Sequence, residues 1–239
     1  MNTLKIDKKK TLMIAHRGLS GIEPENTSFA FVAAGNRSYF GIETDIHTTA
    51  DGDFILTHDD NAKCVSGVDC VIEETDFATL RALPLFDMEG FADREEIHMP
   101  TLEEYVRICK RYEKLCVLEL KNHMLEADVR RIMDRIEAED YLQNVIFISF
   151  DFENLVYVRN YRPEQRVQFL FEKFTDDILE RVKAHHFDVD VYYRSLNEEY
   201  IKALHAEGLL VNCWTVNRPE AAEQLISWGV DYITTNILE

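Results

Sequence analysis

No apolar run in this chain approaches the ~18 residues needed to cross a bilayer. The polar, basic start at residues 1–10 is followed by neither an apolar h-region nor a small-residue cleavage site. The expectation is a soluble, unexported, cytoplasmic protein with no stable membrane insertion. Cations are also short: 26 Lys and Arg stand against 44 Asp and Glu, for a formal net charge of −18. A mean field of that sign repels polyanions, which excludes non-specific binding to nucleic acid or an anionic membrane while leaving room for a local basic pocket. The five cysteines, Cys64, Cys70, Cys109, Cys116 and Cys213, are odd in number and lack CxxC spacing. They argue against a disulfide framework or a zinc ribbon and for a reducing compartment. Glycine-rich dinucleotide and P-loop fingerprints are missing, as are internal repeats and low-complexity tracts.

What is present is enough apolar material, 46% of 239 residues, to fill one sizeable core. Runs with β character fall at 11–16, 39–47, 116–121, 145–150, 167–172, 189–193, 209–216 and 232–235, with helical patterns between them. Asn26 is placed to cap a helix running to about Ala34. Thr101 with Glu104 forms a capping box, Asn197 and Gly208 bracket a helix at 198–207, and Pro219 opens one that stops at Gly229. Alternation of strand and helix to a count of eight, in a chain near the usual ~250 residues, predicts an α/β fold: a single-domain (β/α)8 TIM barrel over 1–239. Residues 49–100 break the rhythm and are too long for an ordinary βα loop, so they predict a small insertion after the second strand, beside the active-site face. No full helix can follow 232–235; residues 4–10 are placed to cover that gap.

Side chains two apart on a strand share a face, so Glu43, Asp45 and His47 point together, as do Glu119 and Lys121. Both sets end their strands, where a barrel of this type gathers its catalytic groups. Glu43, Asp45 and Glu119 can converge as oxygen ligands of one divalent cation, Mg2+ or Ca2+ rather than zinc. They would serve equally as solvated partners of Arg17 and Lys121. His16 ends the first strand and His58 ends the apolar run Phe54-Ile55-Leu56, which makes them the candidate proton carriers. His47 and His123 extend the same period-two pattern toward the mouth. Arg17 and Lys121 carry the positive charge that an anionic phosphodiester needs. One acid or base supplies about 3–5 kcal/mol of a barrier reduction of roughly 8–23 kcal/mol, so charge neutralisation has to supply the rest. Trp214 can wall the pocket or fill the core, and Glu172 can meet a substrate hydroxyl or simply face solvent.

The ordered set closely resembles the glycerophosphodiester phosphodiesterase family. It comprises His16-Arg17-Gly18, Pro24-Glu25-Asn26-Thr27, Glu43-x-Asp45 followed by Asp51-Gly52, and His58-Asp59. Pro100-Thr101-Leu102-Glu103, Glu119-x-Lys121 and Trp214-Thr215-Val216-Asn217 complete it. The similarity spans 11–236 and implies a TIM-barrel hydrolase that releases sn-glycerol 3-phosphate and an alcohol from small-molecule glycerophosphodiesters such as glycerophosphocholine and glycerophosphoethanolamine. It further implies His16 and His58 as the acid/base pair, Glu43, Asp45 and Glu119 as cation ligands, and Arg17 and Lys121 as phosphate contacts. The attacking group would be the substrate's own glycerol hydroxyl, through a cyclic phosphate, or a water. One departure stands out: 61–67 replaces the arginine-threonine segment common after His58-Asp59-Asp60 in the family, at a place where an alcohol head group would be sensed. The alternatives are a diesterase of the same fold acting on a lysophospholipid or glycerophosphoinositol, and a catalytically silent barrel that binds a phosphate ester. Preferred cation, head group and oligomeric state, monomer or homodimer, stay open at this point.

Overall fold

A computed structural model describes residues 2–239. Nine strands form in chain order: Leu12–Ala15 (β1), Gly41–Thr48 (β2), Phe54–Leu56 (β3), Leu115–Leu120 (β4), Val145–Ser149 (β5), Arg166–Phe171 (β6), Asp188–Tyr192 (β7), Val211–Trp214 (β8) and Tyr232–Thr235 (β9). Eight of them pair in parallel in the order β1, β2, β4, β5, β6, β7, β8, β9, and β9 returns to β1, so the sheet closes. This is the (β/α)8 barrel that the alternation predicts. The exception, β3, runs antiparallel to β2 with Ile55 opposite His47.

Each strand sorts its residues by parity into two apolar layers. Odd and even positions face opposite ways, and in β4 all six residues are buried. Cys116, Leu118 and Leu120 join the layer under the helices, with Met13, Ala15, Ile42, Ile46, Phe147, Val189, Val191 and Val211. Leu115 and Val117 instead meet Ile14, Ile146, Ile148, Leu170 and Tyr232 inside the barrel. The inward parity therefore carries upward through Leu115 and Val117 to Glu119, and along β2 through Gly41 to Glu43 and Asp45. Burying the interior of the barrel and aiming the carboxylates are one and the same periodicity.

Helices Ser28–Gly35 (α1), Lys63–Ser66 (α2), Phe77–Arg81 (α3), Leu102–Arg111 (α4), Glu126–Ala138 (α5), Phe152–Tyr161 (α6), Asp176–His185 (α7), Glu198–Ala206 (α8) and Pro219–Trp228 (α9) fill the connections. The Thr101–Glu104 capping box opens α4, Asn197 caps α8, and α9 begins at Pro219 and ends against Gly229 at φ 91°. One expected cap moves. Thr27, not Asn26, caps α1 by accepting from the Ala30 N–H. Asn26 lies at φ 51° with its amide turned to β2: it donates to Asp45 Oδ2 at 2.8 Å and accepts from Thr44 Oγ1 at 2.6 Å.

Between β2 and α4 the chain builds β3, α2, a 3-10 turn at Ile72–Glu74 and α3 around a small apolar cluster of Ile55, Ala62, Ile72, Leu80, Leu85, Ile97 and Met99. Asn122, just past β4, ties this segment to the barrel by donating to Asp60 Oδ1 (3.0 Å) and Glu73 Oε1 (2.9 Å). Beyond β9 the chain pairs Leu238 with Leu4, and Ile6 donates to the Glu239 carbonyl. Among the described residues no helix is long and apolar enough to cross a membrane.

Candidate active site

The turn after β1 is shaped by backbone that most residues avoid. Arg17 and Gly18 have φ of 54° and 75°, and a Cβ on Gly18 would lie 2.6 Å from the Ala30 side chain. Glycine is therefore required twice over, by conformation and by space. The turn clamps β2: the Arg17 N–H donates to Glu43 Oε2 at 2.7 Å and the Gly18 N–H to the Glu43 carbonyl at 3.0 Å. The Arg17 guanidinium reaches Glu25 at 2.9 Å and lies 3.9 Å from Asp45. Lys121 Nζ sits 2.9 Å from Glu119 and 3.7 Å from Asp45.

Glu43, Asp45 and Glu119 are buried, and one oxygen of each lies within 4.8 Å of the others. Three carboxylates so close cannot all hold their charge alone. Burial, then Asp45 and Glu119, push the Glu43 carboxyl well above its usual range. Burial and Asp45 raise Glu119 to about 8. Asp45 goes the other way: burial opposes ionisation, yet Lys121, His58 and Arg17 hold its carboxyl below the ordinary value. The result is one firm carboxylate between two reluctant ones. An all-oxygen set under mutual repulsion matches the donor chemistry of a hard divalent cation, whose charge would relieve that repulsion.

His16 follows β1, and its Nδ1–H donates to Asn236 Oδ1 at 2.7 Å, which leaves Nε2 as the unprotonated nitrogen of the neutral ring. Burial and the neighbouring Arg17 lower its pKa to about 4, so the ring is neutral near pH 7. His58 follows β3, and its Nδ1 meets Asp59 Oδ1 at 2.7 Å. That hydrogen bond is the main reason the Asp59 carboxyl sits below its usual range. His16, Arg17, Glu43, His58 and Glu119 share a cleft of about 430 Å3, counted to its open mouth, with Ile148, Phe150, Leu170 and Trp214 on the other wall.

A comparison with known families matches residues 16–239 to the glycerophosphoryl diester phosphodiesterase family. The chain belongs to that family. It is thereby a phosphoric diester hydrolase. It is 28% identical to a glycerophosphodiester phosphodiesterase of Bacillus subtilis (strain 168), across 95% of this chain and 84% of that protein. It is 27% identical to one from Caldanaerobacter subterraneus, across 95% and 94%. Among solved structures, an Oleispira antarctica phosphodiesterase in complex with the product sn-glycerol-3-phosphate superposes with a TM-score of 0.83 at 23% identity, covering 97% and 95% of the two chains. A glycerophosphodiester phosphodiesterase from Parabacteroides distasonis gives 0.78 at 25% identity, covering 95% and 93%.

On this glycerophosphodiester phosphodiesterase scaffold, not every residue singled out in the sequence reaches the cleft. Asp45 is buried and does not line it, and Lys121 lines an adjoining depression with His58 and Asp59. Trp214 walls it, edge-on to Phe150 with ring centroids 5.7 Å apart. Glu172 does not join them. Its side chain is exposed, and its carbonyl accepts from Ser195 Oγ. His47 is buried, with Nδ1 3.2 Å from Glu73 and Nε2 3.4 Å from the His58 carbonyl, so it braces the insertion. His123 stands exposed against Asp151 at 2.8 Å. The sequence reading missed three cleft-side groups. Asn236 anchors His16, Asn26 anchors Asp45, and Asp190 joins Glu43 and Glu119 as the third carboxyl lining the cleft, pushed well above its usual pKa by burial and by Glu119. The available signal was a charged residue between Val189 and Val191, on the inward parity it shares with Asp188 and Tyr192 in β7.

Proposed function

We propose that this chain hydrolyses water-soluble glycerophosphodiesters, such as glycerophosphocholine and glycerophosphoethanolamine, to sn-glycerol 3-phosphate and an alcohol. In this reading Glu43, Asp45 and Glu119 hold one divalent cation, Mg2+ or Ca2+. The observation that carries it is the convergence, around one cleft, of three buried carboxylates with two ring-anchored histidines and two cations. When bound, the cation supplies positive charge to the phosphoryl oxygens. Arg17 and Lys121 hold the anionic diester. The buried Arg17 Nε has no hydrogen-bond acceptor among the described residues, which leaves a donor for a phosphate oxygen.

Neutral His16, with Nδ1 fixed on Asn236, presents Nε2 to take the proton of the attacking hydroxyl, from the glycerol or from water. His58, oriented by the Asp59 carboxylate, protonates the departing alcohol. Trp214 and Phe150 cover the organic part of the substrate and exclude water. The cytoplasm is the matching compartment, since all five thiols are unpaired.

The test is release of sn-glycerol 3-phosphate from a panel of glycerophosphocholine, glycerophosphoethanolamine, glycerophosphoinositol and a lysophospholipid. His16→Ala and His58→Ala should each lower kcat by at least ~10²-fold. Full activity in either variant contradicts the assignment. Faster turnover of the lysophospholipid would replace the substrate class, and phosphate-ester binding without turnover of any diester would leave a binding barrel.

A further inference from the structure

Asp190 is a carboxyl in the cleft that the chemistry above leaves without a task. Val189 and Val191 pack outward under the helices, so parity turns Asp190 into the barrel. It is 1% exposed, it lines the cleft, and its Oδ1 has no hydrogen-bond partner among the described residues. It stands apart from the acidic trio, which groups without it. Polar residues on β6, β8 and β9 satisfy one another instead. Asn212 Nδ2 donates to Gln168 Oε1 at 3.1 Å, and Thr234 Oγ1 donates to Asn212 Oδ1 at 3.2 Å. A buried polar atom left unpaired is costly to a fold, so each one calls for an explanation.

Position supplies that explanation. The phosphate-holding cations follow β1 and β4, whereas Asp190 lies on β7 among Ile148, Phe150, Leu170 and Trp214. The apolar wall around Asp190 suits the carbon skeleton of a ligand rather than its phosphate. A few polar groups set in an apolar lining are what orient a small ligand. Thr234 Oγ1, whose proton is committed to Asn212, keeps lone pairs for a hydroxyl and also lines the cleft. Resting on the function proposed above, we propose that Asp190 is the specificity-determining residue for the glycerol moiety: its carboxyl hydrogen-bonds a free hydroxyl of the substrate's 1,2-diol, with Thr234 beside it. Acylation of that hydroxyl removes its proton and leaves Asp190 unpaired, so the site selects deacylated diesters. A group built to pair a hydroxyl rejects analogues that lack it far more strongly than an apolar pocket rejects a missing methylene.

Calorimetric titration of the cation-loaded enzyme with sn-glycerol 3-phosphate, n-propyl phosphate, phosphoethanolamine and inorganic phosphate tests this directly. The wild type should bind sn-glycerol 3-phosphate at least about 10-fold tighter than n-propyl phosphate. Asp190→Ala should reduce that ratio to about 2-fold or less, Asp190→Asn should retain most of it, and inorganic phosphate should bind all three proteins alike. Both variants should melt at or above the wild-type Tm, because each removes a buried, unpaired carboxyl. An unchanged ratio in Asp190→Ala, or equal weakening of the glycerol and propyl ligands, overturns the inference. Tighter binding of phosphoethanolamine than of sn-glycerol 3-phosphate overturns it too, by making the site one for ammonium. If the wild type selects the diol here yet hydrolyses no glycerophosphodiester, the proposed function fails and the binding assignment stands. If it hydrolyses them and the ratio does not move, only this inference fails.

Discussion

Glu119 and Glu239 are both buried glutamates, and their surroundings push them in opposite directions. At the end of β4, burial and the nearby Asp45 raise Glu119 to about 8, with Lys121 only partly compensating. Glu239 is also removed from water, yet it falls to about 2 because Lys5 (2.7 Å), Thr3 Oγ1 (2.6 Å) and the Ser38 N–H (2.7 Å) all stabilise its charge. One carboxylate is fully satisfied by the fold; the other is held beside its own kind. The difference separates a latch from a site. A fold that kept only satisfied groups would have no reason to gather Glu43, Asp45 and Glu119; under the function proposed above, their cost in stability is exchanged for cation binding.

The largest expected effect comes from breaking the crowded end. Glu119→Gln should reduce turnover by at least ~10²-fold and abolish calorimetric cation binding, while raising the Tm of the cation-free protein by roughly 3–6 °C, since about 1 kcal/mol moves Tm by ~2–4 °C in a chain of this size. A fall in the cation-free Tm would show that the trio is not under repulsive strain. Next in size is Gly18→Ala, which combines a positive φ with a 2.6 Å approach to Ala30. It should cost about 2 kcal/mol or more and loosen the Arg17–Glu43 clamp, seen as a lower melting midpoint together with a raised KM.

At the latch, Glu239→Gln should lower stability by about 1–2 kcal/mol at neutral pH and leave kcat unchanged. The two glutamates also differ in the sign of their pH dependence. Glu239 has a depressed folded-state pKa, so its contribution is present above ~4.3 and is lost as pH falls toward 2. Glu119 has a raised one, so in the cation-free protein stability is lost as pH rises from ~4.3 toward 8. Denaturant midpoints measured across pH should show the acid limb flattened in Glu239→Gln and the alkaline limb flattened in Glu119→Gln. The same variant flattening both limbs would contradict the division. The smallest effect belongs to Glu172→Gln, exposed beyond the end of β6, where KM should change by less than about 3-fold.

The barrel was legible because its strands are punctuated and because parity sorts their residues without reference to any partner. The eight parallel strands fall where the sequence places them, and Glu43, Asp45 and Glu119 follow from counting by twos along β2 and β4. Groups that act from outside the periodic elements were not legible. Asn26 carries the signature of a helix cap, but a left-handed backbone turns it to Asp45 and passes the cap to Thr27. Asn236 reaches His16 across 220 positions, a separation that local pattern cannot see. Glu172 ended its strand at a promising place, yet the chain leaves β6 before that side chain can turn inward. Asp190 was readable in principle, since a carboxyl at inward parity between two valines is costly to bury without a partner.

If the crowded carboxylates hold the cation as proposed, hydrolysis depends on them. The direct measurement is release of sn-glycerol 3-phosphate from glycerophosphoethanolamine by enzyme stripped with chelator and then reloaded with Mg2+ or Ca2+. Turnover should be lost on stripping and return on reloading in the wild type, with no return in Glu119→Gln. Undiminished turnover by the exhaustively stripped wild type would contradict that dependence.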